Sequence, residues 1–356
     1  MTTPMRVLVV GDPYFTVPDF QRGLTMLDGR VALDYLQIET TAIPPRDDSV
    51  SRLREYAGDP DDVASATAGH DVLVVHGAPV TEKALRTPGL RLVCCARGGP
   101  VNVDVAAATA AGVAVCTTPG KNAEAVAELT IAFALVALRG VIPSSRELAA
   151  IGRLSESVFD GREYFGNEAS GTTLGLIGVG HVGRHVAHRA IALGFTVVAH
   201  DPYLDRSGID GVPLVDLAEL LARADIVSLH ARATPGAPPL LGRNEFDQMR
   251  EGSYLINTAR EQLVDEGALL QALGTGHLSG AALDVIEPLT GGARNPLFDV
   301  ATVLITPHIG GATMQTLARG ADMVAAAIAA LLNGQVPPHL INPEVMHRPN
   351  LPAVAP

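Results

Sequence analysis

Residues 173–183 of the chain read Thr-Leu-Gly-Leu-Ile-Gly-Val-Gly-His-Val-Gly, and this stretch decides the predicted fold. Residues 174–177 suit one short buried strand, and residues 184–193 have the pattern of a helix. Between them, Gly178, Gly180 and Gly183 have the spacing G-x-G-x-x-G. The first glycine permits a tight turn, the second lets a pyrophosphate approach the backbone, and the third lets the helix pack against the strand. The stretch therefore predicts a dinucleotide site at the start of the helix.

A second apolar strand is predicted at residues 196–199 and is followed by His200 and Asp201. This is about 20 residues beyond the glycines, where a dinucleotide site needs a carboxylate for the ribose hydroxyls. Asp201 would repel a 2′-phosphate, which favours NAD over NADP, although Arg206 lies close in sequence. A glycine triplet alone is weak support, but here strand, triplet, helix, second strand and acid occur in order. A dinucleotide site is therefore favoured over an ordinary strand-to-helix turn.

Length and composition narrow the class of protein. With 356 residues the chain exceeds what one hydrophobic core usually supports, so two domains are predicted. Apolar stretches such as 131–138 and 324–332 are too short to span a bilayer, and the net charge of −12 argues against nucleic-acid binding. The first residues lack the pattern of a signal peptide, three cysteines make no disulfide framework, and no Cys/His group has metal-ligand spacing. We therefore expect a cytoplasmic protein without a metal or a membrane partner.

Short apolar strands alternate with helices along the chain, which predicts parallel sheets and an α/β fold. The strands predicted in the first part are 7–10, 31–38, 72–75, 90–95 and 113–116. Those predicted in the second part are 174–177, 196–199, 226–229, 254–257, 280–284 and 303–305, with helices at 214–222, 245–249 and 265–273. Long helices are predicted at 122–139 and 312–332, and segment 141–171 is predicted to be irregular apart from some helix around 145–151.

Several reactive side chains follow the predicted strands, at the sheet edge where ligands of open parallel sheets bind. Arg260 follows strand 254–257, and His308 follows strand 303–305. Asp284 comes after residues 280–283, at the end of the strand between them, and Glu287 lies beyond it. A histidine titrates near working pH and can exchange a proton with a substrate hydroxyl, while a carboxylate on its other nitrogen fixes the tautomer. An arginine offers paired donors to a substrate carboxylate. This combination favours hydride transfer to or from a hydroxy acid.

Taken together, these motifs resemble those of the D-isomer-specific 2-hydroxyacid dehydrogenases, near their phosphoglycerate dehydrogenase branch. Residues 1–90 contribute little to the resemblance. It depends on residues 174–183, 200–203, 255–260, 263–266, 281–285 and 306–313. It implies two doubly wound parallel-sheet domains. A flavodoxin-like substrate domain would comprise residues 1–121 and 314–356, and an inserted NAD-binding Rossmann domain residues 122–313. The resemblance also implies NAD as cofactor and a homodimer that packs through the inserted domain.

The resemblance further implies the roles of individual residues. His308 would be the acid/base, Arg260 would anchor the substrate carboxylate, and Glu287 is the candidate for a glutamate that orients His308. Asp201 would hold the adenosine ribose and Asp284 would meet the nicotinamide amide. The predicted cofactor-binding residues are Gly178, Gly180, His181, Val182, Gly183, Asp201, Thr258, Ala259, Arg260, Asp284, His308, Gly310 and Gly311. The predicted substrate-binding residues are Gly77, Arg97, Gly98, Gly99 and Arg260, with backbone amides of loop 97–100 facing the carboxylate.

Some positions depart from the family pattern or allow two interpretations. Segment 284–288 is short, which leaves Glu287 as either the orienting glutamate or only its neighbour. Arg97 either binds a second anionic group of the substrate or forms a salt bridge. The other departures are Glu261 in place of a glycine, Arg232 in place of a proline, and His181 where arginine is more common. The histidines predicted to be structural or on the surface are His76, His185, His188, His230 and His277.

The predicted function is NAD-dependent interconversion of a small D-2-hydroxy acid and its 2-oxo acid. Arg97 and the branch resemblance suggest a substrate like phosphoglycerate. One alternative keeps the fold and changes the substrate to glyoxylate, phosphite, formate or a phosphonate. Another is an NAD(H)-sensing binding protein like the family's transcriptional corepressors. A panel of 2-oxo acids assayed with NADH separates these alternatives.

Overall fold

The computed structural model describes residues 4–27, 29–40, 50–152, 165–234, 236–287 and 293–347. The chain divides into two compact units. Unit 1 comprises Met1–Lys121 and Thr313–Pro356, and unit 2 comprises Asn122–Ala312. The return into unit 1 thus begins one residue before the predicted position 314.

The secondary structure alternates between strands and helices through most of the chain. The strands are β1 (Met5–Gly11), β2 (Val31–Gln37), β3 (Val72–Val75), β4 (Leu92–Cys95), β5 (Ala114–Cys116), β6 (Thr173–Ile177), β7 (Thr196–His200), β8 (Ile226–Leu229), β9 (Ser253–Asn257), β10 (Leu278–Leu283) and β11 (Val303–Ile305). The helices are α1 (Val17–Leu24), α2 (Pro60–Thr67), α3 (Glu82–Leu85), α4 (Val105–Ala111), α5 (Ala123–Leu138), α6 (Val141–Ile151), α7 (His181–Ala192), α8 (Leu217–Arg223), α9 (Arg243–Gln248), α10 (Glu266–Gly274) and α11 (Met314–Leu332). Short 3-10 helices lie at Thr25–Leu27, Glu261–Leu263, Pro296–Asp299 and Pro343–His347.

The sheet of unit 1 has the strand order β2-β1-β3-β4-β5, and all of its strand pairs are parallel. Strands β3 and β4 are fully buried and apolar, because helices cover both faces of the sheet. One face packs against α1 and α11 through side chains that include Phe15, Phe20, Leu24, Val324 and Ile328. Leu73, Val93 and their neighbours form the core of the opposite face.

Helix α11 is long and apolar enough to cross a bilayer by length and composition. Its side chains Val324, Ile328 and Leu331 are, however, buried in the core of unit 1. It also lies close against α1, where a Cβ atom on Gly23 would be 2.6 Å from the backbone of Ala321. Packing between helices therefore accounts for its apolar residues.

The sheet of unit 2 has the order β11-β10-β9-β8-β6-β7 and is also parallel throughout its described strand pairs. In each unit the second strand lies on one side of the first strand, and all later strands lie on the other side. The strand order therefore reverses between β1 and β3 in unit 1 and between β6 and β8 in unit 2. These are the doubly wound sheets expected from the sequence, so the fold-class prediction is confirmed.

Two element predictions in unit 2 need correction. Segment 141–171, predicted to be irregular apart from some helix around 145–151, begins with the eleven-residue helix α6, which starts four residues earlier than predicted. Gly140, with φ of 56°, ends α5 and starts α6, and Pro143 lies in the first turn, where proline is tolerated. Helix α6 buries no side chain, so its sequence lacks the apolar periodicity that predicts a helix. Helix α7, predicted from residue 184, begins at His181.

Candidate active site

The three glycines after β6 have different surroundings. A Cβ atom on Gly183 would lie 2.1 Å from the carbonyl oxygen of Gly178, and one on Gly178 would lie 2.8 Å from the backbone of His230. Gly178 also has a φ of 98°, which favours glycine. A Cβ atom on Gly180, in contrast, would have no neighbour within 4 Å. The first and third glycines thus permit close packing, and the second leaves open space beside the backbone.

Helix α7 starts directly at this open space. Gly180 is its N-cap and supplies no side-chain hydrogen bond, while His181, Val182 and Gly183 form the first turn. The amides of a first turn have no partner within the helix, and the helix dipole favours an anion there. The loop lies at the reversal of strand order between β6 and β8, where ligands of such sheets bind. These residues fit the pyrophosphate of a dinucleotide.

Asp201 lies beside the glycine loop at the end of β7. Its Oδ2 accepts a hydrogen bond from the amide of Val179 at 2.9 Å, and its Oδ1 accepts one from the amide of Tyr203 at 3.1 Å. Each carboxylate oxygen can accept a further donor, so ribose hydroxyls fit here.

His230 lies next to the glycine loop. It is neutral because burial lowers its pKa to about 3, and its Nε2 lies 3.0 Å from Ser228 Oγ. The structural role predicted for His230 is compatible with this environment and stays a prediction.

Strands β9, β10 and β11 are neighbours, so their carboxyl ends lie side by side at the same edge of the sheet. Asp284 directly follows β10 and is only 1% exposed. Its Oδ1 accepts from Thr306 Oγ1 at 2.5 Å and from the amide of Ile309 at 2.8 Å, and its Oδ2 accepts from the amide of Gly310 at 2.7 Å. Asp284 thus fixes the loop after β11. The predicted contact with the nicotinamide amide is still open to it, because Oδ2 can accept a second donor.

His308 lies in the loop that Asp284 fixes. Its φ of 56° is uncommon for a residue other than glycine, and its side chain is exposed. Its amide donates to the carbonyl oxygens of Asp284 and Thr306, both at 3.0 Å. Such unusual backbone conformations concentrate at functional sites, where the surrounding structure holds them. The loop therefore presents the imidazole at the sheet edge with a defined backbone.

The loop after β9 is held by a residue that the sequence analysis did not select. Asn257 is 1% exposed, its Nδ2 donates to the carbonyl oxygen of Arg260 at 2.8 Å, and its Oδ1 accepts from the amide of Ala259 at 3.0 Å. Thr258 Oγ1 is 2.9 Å from Thr130 Oγ1 of α5. Arg260 is exposed, and its Nη1 donates to the carbonyl oxygen of Ala259 at 2.7 Å. An asparagine as the last residue of an apolar strand is the sequence signal that identifies Asn257.

The structure does not pair Glu287 with His308. The Glu287 side chain is exposed, and its amide donates to Glu266 Oε1 at 2.5 Å. Among the described residues no hydrogen bond or salt bridge joins its carboxylate to His308, and Pro288 lies outside them. Glu261 Oε1 accepts from Gln262 Nε2 at 2.6 Å. The orienting role of Glu287 remains a prediction.

The predicted substrate-binding residues of unit 1 differ in whether their donor groups are already bonded within the protein or are accessible to a substrate. Arg97 forms a salt bridge with Glu55, with 2.5 Å between Nη2 and Oε2, and its Nη1 also donates to the carbonyl oxygen of Glu55. Of the two interpretations of Arg97, the structure thus contains the salt bridge. The amide of Gly77 donates to Asp12. Gly98 and Gly99 have open space around them, which leaves their backbone accessible.

Asp12 is a second residue that the sequence analysis did not select. It is 4% exposed, follows β1 directly, and its Oδ2 lies 2.9 Å from Nδ1 of His76, which follows β3 directly. The sequence signal is a carboxylate immediately after a buried strand. His76, predicted to be structural or on the surface, belongs to a buried histidine–carboxylate pair.

Comparison with known proteins gives a consistent result. The sequence pattern described as "D-isomer specific 2-hydroxyacid dehydrogenase, NAD binding domain" matches residues 131–310. The chain is 37% identical over 290 residues to a D-3-phosphoglycerate dehydrogenase of Mycobacterium bovis, a match that covers 80% of this chain and 53% of that protein. It is 34% identical over 262 residues to a glyoxylate reductase of Korarchaeum cryptofilum, covering 73% of this chain and 78% of that protein.

A solved structure of a Thermus thermophilus protein is 33% identical, with a TM-score of 0.75, and the match covers 95% of this chain and 100% of that one. The chain spans about half the length of the D-3-phosphoglycerate dehydrogenase that it matches.

Proposed function

Because the chain belongs to the D-isomer specific 2-hydroxyacid dehydrogenase family, we propose that it interconverts a small D-2-hydroxy acid and its 2-oxo acid. The matched domain is the NAD-binding domain of that family, so the prediction of NAD as cofactor is confirmed. Unit 2 is proposed as the NAD-binding domain and unit 1 as the substrate domain. The observation that most supports the proposal is the set of Arg260, Asp284 and His308 at three neighbouring strand ends of unit 2.

Each residue has a defined task in the proposed reaction. When bound, NAD accepts or supplies the hydride at C2 of the substrate. His308 takes the hydroxyl proton during oxidation and returns it to the 2-oxo oxygen during reduction. Arg260 binds the substrate carboxylate with the guanidinium donors that its bond to Ala259 leaves available. Glu287 is proposed to orient His308 in the ternary complex.

The cofactor is proposed to lie along the carboxyl edge of the sheet of unit 2. The amides of His181, Val182 and Gly183 would bind the pyrophosphate, and Asp201 the adenosine ribose. The nicotinamide end would meet Asp284 and the neighbouring loops. The remaining residues proposed to line this site are Thr258, Ala259, Gly310 and Gly311.

Replacement of His308 by asparagine tests the assignment. Asparagine tolerates a positive φ, so His308→Asn removes the imidazole with little backbone strain. We expect turnover of 2-oxo acids with NADH to fall by about 10³-fold, which is typical for loss of a general acid. NADH affinity should change far less, because the glycine loop and β11 lie at separate positions in the sheet.

His339→Asn is the matched control, since His339 also has a φ of 56° and is exposed, but belongs to unit 1, whereas the proposed catalytic residues belong to unit 2. Turnover by His308→Asn equal to that of His339→Asn would reject the role of His308. Tight NADH binding by the wild-type chain without turnover of any 2-oxo acid would favour the NAD(H)-sensing alternative.

Glyoxylate is the second candidate substrate. The relative from Korarchaeum cryptofilum is a glyoxylate reductase, and the match to it covers most of both chains. A phosphoglycerate-like substrate is supported by the higher identity to D-3-phosphoglycerate dehydrogenases. Comparing kcat/KM for glyoxylate, hydroxypyruvate and 3-phosphohydroxypyruvate would separate the two candidates.

The family resemblance also leads us to propose a homodimer formed through unit 2. Helix α6 supports this proposal, because Val141, Leu148 and Ile151 are 43%, 40% and 56% exposed. Exposed apolar side chains on one helix are typical of an interface. A cytoplasmic location is supported by the three buried free cysteines, which suit a reducing compartment.

A further inference from the structure

The reversal of strand order in unit 1 coincides with a buried charged pair. Asp12 and His76 follow β1 and β3, the two strands between which the order reverses. Ligands of open parallel sheets bind at the carboxyl ends of the strands at such a point. The chemistry of this pair and of its neighbours therefore indicates what unit 1 binds.

Asp12 is fully occupied within the protein. Its Oδ1 accepts from the amides of Tyr14 and Phe15, both at 2.9 Å, and its Oδ2 accepts from the amide of Gly77 at 2.7 Å and lies 2.9 Å from His76 Nδ1. Burial opposes its ionisation, but His76 and these amides outweigh that effect and lower the pKa of Asp12. Asp12 is therefore a fixed carboxylate that makes Nδ1 of His76 the protonated nitrogen. Nε2 is the ring nitrogen that Asp12 does not engage.

Lys121 supplies a cation near this pair. It is 7% exposed, and its Nζ is a buried atom without a hydrogen-bond partner among the described residues. Nζ lies 5.1 Å from the centre of the Phe15 ring, and the His76 ring is 5.7 Å from the same ring centre. Arg319 fixes the backbone of Lys121 by donating from Nε to its carbonyl oxygen at 2.7 Å. An ammonium group without an acceptor is costly to bury, so an oxyanion that supplies the acceptor would be favoured.

We propose that Lys121 and His76 form a second anion subsite, which binds a carboxylate or phosphate group at the end of the substrate remote from its 2-oxo acid group. The assignment of that anion to the substrate rests on the proposed function. The subsite itself rests on the reversal of strand order and on the unpartnered ammonium of Lys121. Arg97, for which the sequence allowed either a second anionic group of the substrate or a salt bridge, is paired with Glu55.

Protonation of His76 would accompany binding. Burial lowers the pKa of His76, Asp12 opposes this effect, and the charges of Lys121 and Arg97 add to it. A bound anion counters the two cations and stabilises the imidazolium, whose second nitrogen is already paired with Asp12. His76 Nε2 then becomes a donor to the anion, beside Lys121.

Competitive acetylation of the intact protein measures binding without any activity. The chain contains two lysines, and the other one, Lys83, is exposed and paired with Asp61 at 2.7 Å, which makes it an internal standard. We expect the ratio of Lys121 to Lys83 acetylation to fall several-fold when inorganic phosphate or 2-oxoglutarate is added, but not with 2-oxobutyrate. Protection by phosphate alone would show that the subsite binds a phosphate group. Protection by 2-oxoglutarate alone would show that it binds a carboxylate. Protection by neither would overturn the subsite.

Substrate preference provides the second test. Lys121→Met should lower kcat/KM for 2-oxoglutarate relative to 2-oxobutyrate, or for 3-phosphohydroxypyruvate relative to hydroxypyruvate, by about 10- to 100-fold, as expected for loss of a charged hydrogen bond. Lys121→Arg should retain part of the preference for the substrate with the second anionic group. Lys83→Met should retain all of this preference. An equal loss for both members of each pair would assign Lys121 a structural role and contradict the proposal.

The two tests separate this inference from the proposed function. Protection of Lys121 by phosphate without turnover of any 2-oxo acid would retain the subsite and reject the function. Turnover without protection or preference would retain the function and reject the subsite.

Discussion

Units 1 and 2 have sheets of the same design, yet the loops at their reversal points have opposite chemistry. In unit 2 the loop after β6 contains glycines, and Gly180 faces open space. In unit 1 the residue that directly follows β1 is Asp12, which is paired with His76 after β3, and Lys121 lies nearby. Backbone amides at a helix start suit a large diphosphate, whereas charged side chains suit a small anionic group.

Sheet topology and loop residues determine different aspects of ligand binding in the two units. Topology places a binding position at the reversal of strand order in each sheet. The residues that directly follow the strands then decide the ligand. Exchanging or disabling these residues should therefore affect one ligand and leave the other unit intact.

The largest effect is expected from Gly183→Ala. Its Cβ atom would lie 2.1 Å from the carbonyl oxygen of Gly178, so the loop and α7 must move apart. We expect the free energy of unfolding to fall by about 3 kcal/mol, as for severe overpacking, and NADH binding to be largely lost. Chemical denaturation and the fluorescence of bound NADH measure the two effects.

Gly180→Ala is the matched control, because its Cβ atom would have no neighbour within 4 Å and its φ of −77° suits alanine. The free energy of unfolding should stay within about 0.5 kcal/mol of the wild type. NADH binding should still weaken, since the methyl group occupies the space beside the backbone. Equal stability losses in both variants would contradict the distinction between packing and binding glycines.

A smaller effect is expected from Asp284→Asn. The neutral side chain loses charge-assisted bonds and directs an amide NH₂ group at a donor of loop 306–310. We expect the free energy of unfolding to fall by about 2 kcal/mol and kcat to fall as the backbone of His308 is released. Denaturation and steady-state kinetics with NADH measure these effects.

Asp299→Asn serves as the control for Asp284→Asn. Asp299 is exposed in unit 2 and paired with Arg294 at 2.9 Å, and such pairs contribute about 0–1 kcal/mol. An unchanged kcat in Asp284→Asn would show that the loop holds His308 without this carboxylate.

The parts of the fold that sequence could predict are local in the chain. Strand β6 and the glycine loop lie within residues 173–183, so their pattern is readable without tertiary structure, whereas α7 begins three residues before its predicted start. His308 and Arg260 each lie three residues beyond the end of an apolar strand, so their place at the sheet edge is also predicted from the local sequence. Helix α6 was predicted only around residues 145–151, because it buries no side chain and its pattern shows no buried face that would mark its first turn.

The charged group of unit 1 could not be predicted in the same way. Asp12 and His76 are separated by 64 positions, and Lys121 lies farther along the chain. Only the sheet order brings these residues to one edge. Asp284 shows a related limit, because sequence indicated a cofactor contact but not the three bonds that fix the loop of His308.

The smallest effect, a dependence of stability on pH, would sharpen the contrast between the two units. Burial lowers the pKa of Lys121 from 10.5 to about 8, with Arg97 adding to the effect and Cys95 and Asp12 opposing it. The folded chain therefore loses this proton at a lower pH than the unfolded chain, and the free energy of unfolding rises from pH 8 towards 10.5. Between pH 8 and 9 we expect a rise of about 1 kcal/mol relative to Lys121→Met.

Lys83→Met should retain this rise, because Lys83 is exposed. Saturating phosphate or 2-oxoglutarate should reduce it, since a bound anion stabilises the ammonium form of Lys121. NADH should leave it unchanged, because the glycine loop belongs to unit 2. Denaturation curves at each pH, measured with and without each ligand, provide the comparison. Suppression of the rise by NADH but not by the anions would reverse the assignment of ligands to the two sheets.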